Sequence, residues 1–366
     1  VPSHVNSLDD PILQFQLKNM PVDTFDFSQE SATQKQFTLS QKLPYPGKLR
    51  LKSEIAEKNI LITQRDLEEA RLTITRDVKM AFYELCFVLS ATTITQENKT
   101  LLEQFVSIAE SKYSVGKGLQ QDVLKAQVEL TKIMEQLIEL EKLEGMEKAK
   151  LNSLMNLLPQ EPLAILHGIT KTDFNFTVQE LQAIAEKNRP LLSKISSLKE
   201  RYGISKKLAE KEYYPNFNVG FKYSQREGTS RIDRPDLVSA FVGINIPIWY
   251  KTKQSRRVSE SAYKIEMAGE TYNKARNQIF LNIKELVDKE RQGRKTLQLI
   301  EQGILPLSRQ SLESALAGYT VGKVDFLTLL SNQRTLFNWQ IKYHRELTDY
   351  EKNLAKIESN AGKNLF

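Results

Sequence analysis

Hydrophobic and polar positions follow two periods along this chain. Four short runs alternate residue by residue. Leu13, Phe15 and Leu17 alternate with polar residues in 12–18. Phe37, Leu39 and Leu43 do so in 36–43, where Gln41 interrupts the apolar side. The third run, 216–223, carries Phe217, Val219, Phe221 and Tyr223, and the fourth, 238–246, carries Val238, Ala240, Val242, Ile244 and Ile246. Period two predicts strands with two unlike faces. Most of the remainder has helical spacing. No proline interrupts the chain from about Gly47 to Lys112, where Leu67, Ala70, Ile74, Val78, Ala81 and Leu85 form a stripe. At about 1.5 Å per residue such an arm is about 95–100 Å long. A second arm runs from about Lys253 to Gly318, with Ile279, Ile283, Leu286, Leu297, Ile300 and Ile304 as its stripe. Pro306 inside it predicts a bend, and Asp288 to Lys295 reads as polar on all sides. Return helices follow at 119–157 and from Phe326 to about Ala361. Each arm and its return predict a long antiparallel hairpin.

The chain is written twice. Tyr113-Ser114-Val115-Gly116-Lys117 reappears as Tyr319-Thr320-Val321-Gly322-Lys323, 206 residues later. The same offset carries Ala109 to Ala315, Leu124 to Leu330, Gln127 to Gln333 and Leu130 to Leu336. Pro44 and Pro247 align at an offset of 203, and Pro11 and Pro215 at 204. This predicts a first repeat over 1–157, a strap or small insert over 158–190 and a second repeat over 191–366. Each repeat reads strand, strand, helix, turn, helix. Glycine at the turn suits a left-handed backbone at a helix end.

Composition changes this picture little. The formal charge is +7, but Lys and Arg are interleaved with Asp and Glu along the helices. That is a solvated face rather than a compact basic patch, and nucleic acid is not an expected partner. No stretch is expected to reach the roughly 18 apolar residues of a spanning helix; a β-barrel span would escape that test, because it alternates. The opening Val1–Pro11 is short and polar and does not read as a signal peptide. Cys86, the one cysteine, lies in an apolar run and reads as a core residue. His4, His167 and His344 are scattered and the six methionines form no cluster, so no wall-bound metal is expected. Nucleotide, hydrolase and dinucleotide motifs are likewise missing from the sequence. Neither a cofactor nor an enzyme is indicated.

The strands have two readings. They could form a half-buried sheet in a soluble, elongated helical scaffold, which could also bind an acidic membrane surface. They could instead cross a membrane. The loops Asn19–Thr33 and Ser224–Pro235 are long and polar, and Tyr45, Tyr213, Tyr214, Trp249 and Tyr250 cluster where strands meet helices. Amphipathic aromatics of this kind favour a membrane interface. Four strands cannot close a barrel, and an open edge in lipid costs several kcal/mol per unpaired group. Membrane strands would therefore need three chains, giving twelve strands.

At this point the chain resembles the TolC-like outer-membrane efflux proteins. The likeness rests on Tyr113-Ser-Val-Gly with Asp122-Val-Leu-Lys-Ala, on Tyr319-Thr-Val-Gly, and on Ile304-Leu305-Pro306 ahead of the second turn. Asn19-Met20-Pro21-Val22-Asp23, Pro44-Tyr45-Pro46-Gly47-Lys48 and Asn245-Ile246-Pro247-Ile248-Trp249 look like its heavy-metal CusC/CzcC-type branch. The resemblance implies a mainly α protein with a small β part: a homotrimeric 12-strand barrel in the outer membrane of a Gram-negative bacterium, above a long periplasmic helical barrel. It implies a passive exit duct for small solutes or heavy-metal cations, served by a periplasmic adaptor and an inner-membrane pump of the RND type. Val115, Gly116, Lys117, Val321, Gly322 and Lys323 match its adaptor-docking tips. Asp122 and Tyr319 match gate positions, Val324 stands where the family has an arginine, and Asp325 is either part of an acidic ring at the mouth or a helix N-cap. A typical member also has a helix before its first strand, which here is expected to be missing.

Overall fold

The computed structural model describes residues 2–164 and 168–366. The elements are α1 (Pro2–Asn6), β1 (Ile12–Lys18), β2 (Gln34–Leu43), α2 (Lys48–Ser114), α3 (Gln120–Leu154), α4 (Val178–Asn188), α5 (Pro190–Lys211), β3 (Phe217–Gln225), β4 (Leu237–Ile244), α6 (Gln254–Leu299), a π-helical turn (Ile300–Ile304), α7 (Leu305–Thr320) and α8 (Phe326–Ala361). They form two units. One comprises 1–67 with 191–275, the other 68–190 with 276–366, and both α2 and α6 contribute to each.

The first unit contains the sheet, antiparallel throughout in the order β1-β2-β3-β4. Its register aligns the alternating patterns. Phe15 faces Phe37, Phe37 faces Tyr223 and Tyr223 faces Val238; one row over, Leu13, Leu39, Phe221 and Ala240 line up. Paired residues share a face, so one side of the sheet is apolar across all four strands. The other side carries Gln14, Thr38, Lys222 and Ser239 in a row. Phe241, the one aromatic on the polar side, lies across Gly220, where a methyl group would come within 2.5 Å of its ring. Among the described residues nothing covers much of the apolar side: Leu13 is 72%, Phe221 65% and Val238 74% exposed.

The limits of three strands differ from expectation. β2 and β3 are longer because Lys35 pairs with Gln225. β4 ends at Ile244 rather than Ile246, because the Asn245 side chain takes the Asn216 N–H at 2.6 Å and Pro247 follows.

In the second unit α2, α3, α7 and α8 enclose one core, with Phe105, Phe326 and Leu329 fully buried. The α2 stripe is only partly a core stripe: Ala81 and Leu85 are buried, whereas Leu67, Ala70 and Ile74 are exposed. Helical spacing identifies a face but not what covers it. An 18-residue window of α2 does reach a mean hydropathy of 1.2, with 44% of it buried inside the chain. This corrects the expectation that no segment is long and apolar enough to span. Ala81, Leu85, Cys86 and Val88 of that helix pack against protein. The polar segment 288–295 is not solvated throughout, as Glu290 shows. That residue is buried, with Tyr350 Oη and Arg294 Nε each 3.4 Å away.

At Pro306 the helix changes its hydrogen bonding. Proline lacks an N–H and crowds the carbonyl four residues back. The chain absorbs this in the π turn Ile300–Ile304, after which α7 starts with the proline in its first turn. The stretch 158–190 also holds α4, opened by a reciprocal cap between Thr177 and Glu180.

Candidate functional site: the paired hairpin tips

Two turns, at Val115–Lys117 and Val321–Lys323, join the hairpins of the second unit. Gly116 has φ +72° and Gly322 has φ +77°. In the first tip Lys117 N–H bonds the Lys112 carbonyl at 2.9 Å and Gly116 N–H bonds that of Tyr113 at 3.0 Å. In the second, Lys323 N–H bonds the Gly318 carbonyl at 2.9 Å and Gly322 N–H bonds that of Tyr319 at 3.1 Å. Both are Schellman caps, in which a left-handed glycine lets the last helical carbonyls be satisfied. Val115 and Val321 are 66% and 67% exposed, and the space beside each glycine is open. A helix tip could approach either turn without meeting a side chain.

The tips share one backbone but reverse one contact. Gly118 lies against Lys112, and Val324 lies against Gly318. The large and small partners have changed places at equivalent positions.

Lys112 also joins the two tips. Its Nζ donates to the Tyr319 carbonyl and lies 4.4 Å from the centre of the Tyr319 ring. Tyr319 is buried against Phe326, ring centres 5.4 Å apart, and its hydroxyl has no partner among the described residues. The Tyr319 and Asp122 positions are thus close enough to interact electrostatically without being hydrogen-bonded. Burial raises the Tyr319 pKa and the Asp122 charge adds to it. Burial likewise raises Asp122; Lys125 opposes the shift and Asp325 reinforces it. Asp325 caps α8, accepting the Thr328 N–H at 2.7 Å, and this bond holds its carboxyl below the usual range. Asp325 is therefore a cap, and its charge reaches Asp122 within the chain.

Sequence reasoning missed Lys112, whose role depends on tertiary placement. It also missed Glu129, which bridges Lys132 at 2.8 Å on its own helix and Arg334 at 3.0 Å on α8. Burial pushes Glu129 up, and its hydrogen bonds to these two cations outweigh that, leaving it low. Beside the bridge, Leu124, Val128 and Leu327 line an open cavity of about 520 Å3 between α3 and α8.

The predicted interface aromatics occur in the first unit. Tyr45 and Tyr214 stack at 4.6 Å with Lys211 Nζ within 5.5 Å of both, Tyr213 and Tyr250 lie 6.4 Å apart, and Trp249 is exposed. Among the described residues no three His, Cys, Asp or Glu side chains are placed to hold a metal. Burial lowers the pKa of His344. His167 lies outside the described residues.

Residues 13–157 match the family described as "Outer membrane efflux protein". Over 339 residues the chain is 22% identical to the cobalt-zinc-cadmium resistance protein CzcC of Cupriavidus metallidurans, spanning 90% of this chain and 76% of that one. Its fold is similar to the outer membrane protein VceC of Vibrio cholerae, with a TM-score of 0.81 at 15% identity over 99% of this chain and 89% of VceC. It is similar to CusC, known for transmembrane channel formation, with a TM-score of 0.80 at 14% identity over 99% and 86% of the two chains. The fold is TolC-like, mainly α with a small β part. The match over 13–157, the likeness to CzcC and the fold point the same way, to similarity with outer membrane efflux proteins.

Proposed function

We propose that three copies of this chain form a passive exit duct in the outer membrane of a Gram-negative bacterium, reaching into the periplasm. The observation that carries this is the four-stranded sheet, with one continuous apolar face and unpaired edges on β1 and β4. In lipid those edges must be paired, and three chains would close a twelve-stranded barrel with the polar face inward. The chain then reads as two repeats, 1–157 and 191–366, separated by 158–190. Tyr45, Tyr213, Tyr214, Trp249 and Tyr250 sit at the membrane interface.

The tips Val115-Gly116-Lys117 and Val321-Gly322-Lys323 dock a periplasmic adaptor, below which an inner-membrane pump of the RND type supplies energy. Asp122, Tyr319 and Asp325 form the gate at the mouth. The exported solutes are heavy-metal cations. The likeness to CzcC, whose name specifies cobalt, zinc and cadmium resistance, supports this substrate class.

Light scattering in detergent tests the assembly. The expected mass is that of three 42.1 kDa chains after subtraction of the micelle. Cysteines at Gly116 or Gly322 should crosslink to a co-expressed adaptor. A monomer that stays dispersed in plain buffer would end the proposal.

A further inference from the structure

The polar face of the sheet ends in a cavity of about 720 Å3 that the export reading does not use. It lies where β2, β3 and β4 meet the first turns of α2 and α6. Lys42, Asn218 and Gly243, aligned neighbours in the register, form its sheet side. Lys48, Lys52, Lys253 and Arg257 come from the helix side, opposed by only two carboxylates, Asp9 and Glu212. Glu212 is already committed to Arg257 at 2.5 Å.

Three features leave this place short of negative charge or of polar partners. Lys48 is 6% exposed, and its Nζ donates to the neutral oxygens of Tyr214 at 2.9 Å and Asn216 at 2.7 Å. Burial makes its proton easier to lose; nearby Glu212 opposes this and Lys52 adds to it. Neither α2 nor α6 has an acidic residue in its first turn. Lys48 and Arg257 stand there instead, at the positive helix ends that favour anions. Gln254, 8% exposed, has an amide oxygen without a partner among the described residues. That amide can turn to offer its N–H2 group instead. The cations gathered at these two helix starts outnumber the two carboxylates beside them, and the Gln254 amide oxygen is left without a partner among the described residues.

We propose that this cavity binds a ligand carrying two or more phosphate or carboxylate groups, held by Lys42, Lys52 and Lys253 over the buried Lys48. Its volume lies within the range of small-molecule pockets and exceeds the needs of a single phosphate. A cavity of this charge favours anions over the cations of the export reading, so its ligand is of a different class from the exported solute. Two sources share this chemistry: a soluble polyanion on the polar face, and the headgroup of an anionic lipid.

The test uses the full chain in non-ionic detergent, titrated calorimetrically with pyrophosphate. Saturable binding is expected, weakened at least tenfold in Lys52→Gln/Lys253→Gln and within twofold of wild type in Lys289→Gln. Lys52, Lys253 and Lys289 are all exposed, so folding should be retained. Water-soluble dihexanoyl phosphatidic acid distinguishes the sources. It displaces pyrophosphate at lower concentration if a headgroup is the natural occupant, and only at higher concentration if a soluble anion is. No saturable binding to wild type, binding by the double variant equal to wild type, or equal loss in Lys289→Gln would each overturn the site.

Discussion

Val324 packs directly on Gly318: a methyl group on the glycine would lie 2.5 Å from Val324 Cγ2. Gly318→Ala should therefore overpack the second tip and cost about 1–3 kcal/mol. Val324→Ala in the same chain should restore most of it. Thermal unfolding of wild type and the two variants checks the pairing, and equal midpoints for Gly318→Ala and wild type would contradict it.

Gly116 and Gly322 pose the opposite case, with left-handed backbones and open surroundings. Alanine at either should cost only the backbone penalty, about 1–2 kcal/mol, and asparagine less. Amide exchange of the last turns of α2 and α7 is the measurement. A loss well above that range would mean that the tips are packed against something.

The two tip carboxylates should respond oppositely to pH. Asp122 has a folded pKa above its ordinary value of 3.8, so its contribution is fully present below that value and is lost as pH rises through the folded pKa. Asp325 has a folded pKa below 3.8, so its contribution is present above that value and is lost as pH falls through the folded pKa. Asp122→Asn should stabilise the tip at neutral pH, whereas Asp325→Ala should destabilise it there. Opening rates of the α8 first-turn amides at pH 7 and pH 4 would show whether the signs differ.

A charge on the apolar side of the sheet should be far more harmful than one on the polar side. Val242→Lys should cost about 2–4 kcal/mol near the middle of a bilayer, while Ser239→Lys should be tolerated. Assembly on unheated gels separates them. Comparable assembly by both would show that this side does not face lipid.

Much of the fold was legible because its signals are local. Period two marked the strands, and the register then placed Phe15, Phe37, Tyr223 and Val238 in one row as alternation requires. The glycines at 116 and 322 marked the turns. Less legible were contacts between residues distant in sequence. Lys112 on Tyr319 and Arg334 on Glu129 join residues more than 200 apart, and neither pair has a motif. Buried Glu290 was hidden for a related reason: a carboxylate flanked by charge looks solvated until Tyr350 is found beside it. The apolar window of α2 was overlooked because scattered threonines and charges dilute it.

The exchange of bulk between 112/118 and 318/324 has a consequence for any partner that meets both tips. One mould has been cast twice and lined differently, with a long cationic chain on one copy and a small aliphatic one on the other. A binding protein built from identical fingers would find the same curvature at every seat, with the texture alternating from seat to seat. Its fingertips would have to recognise main chain first and side chains second.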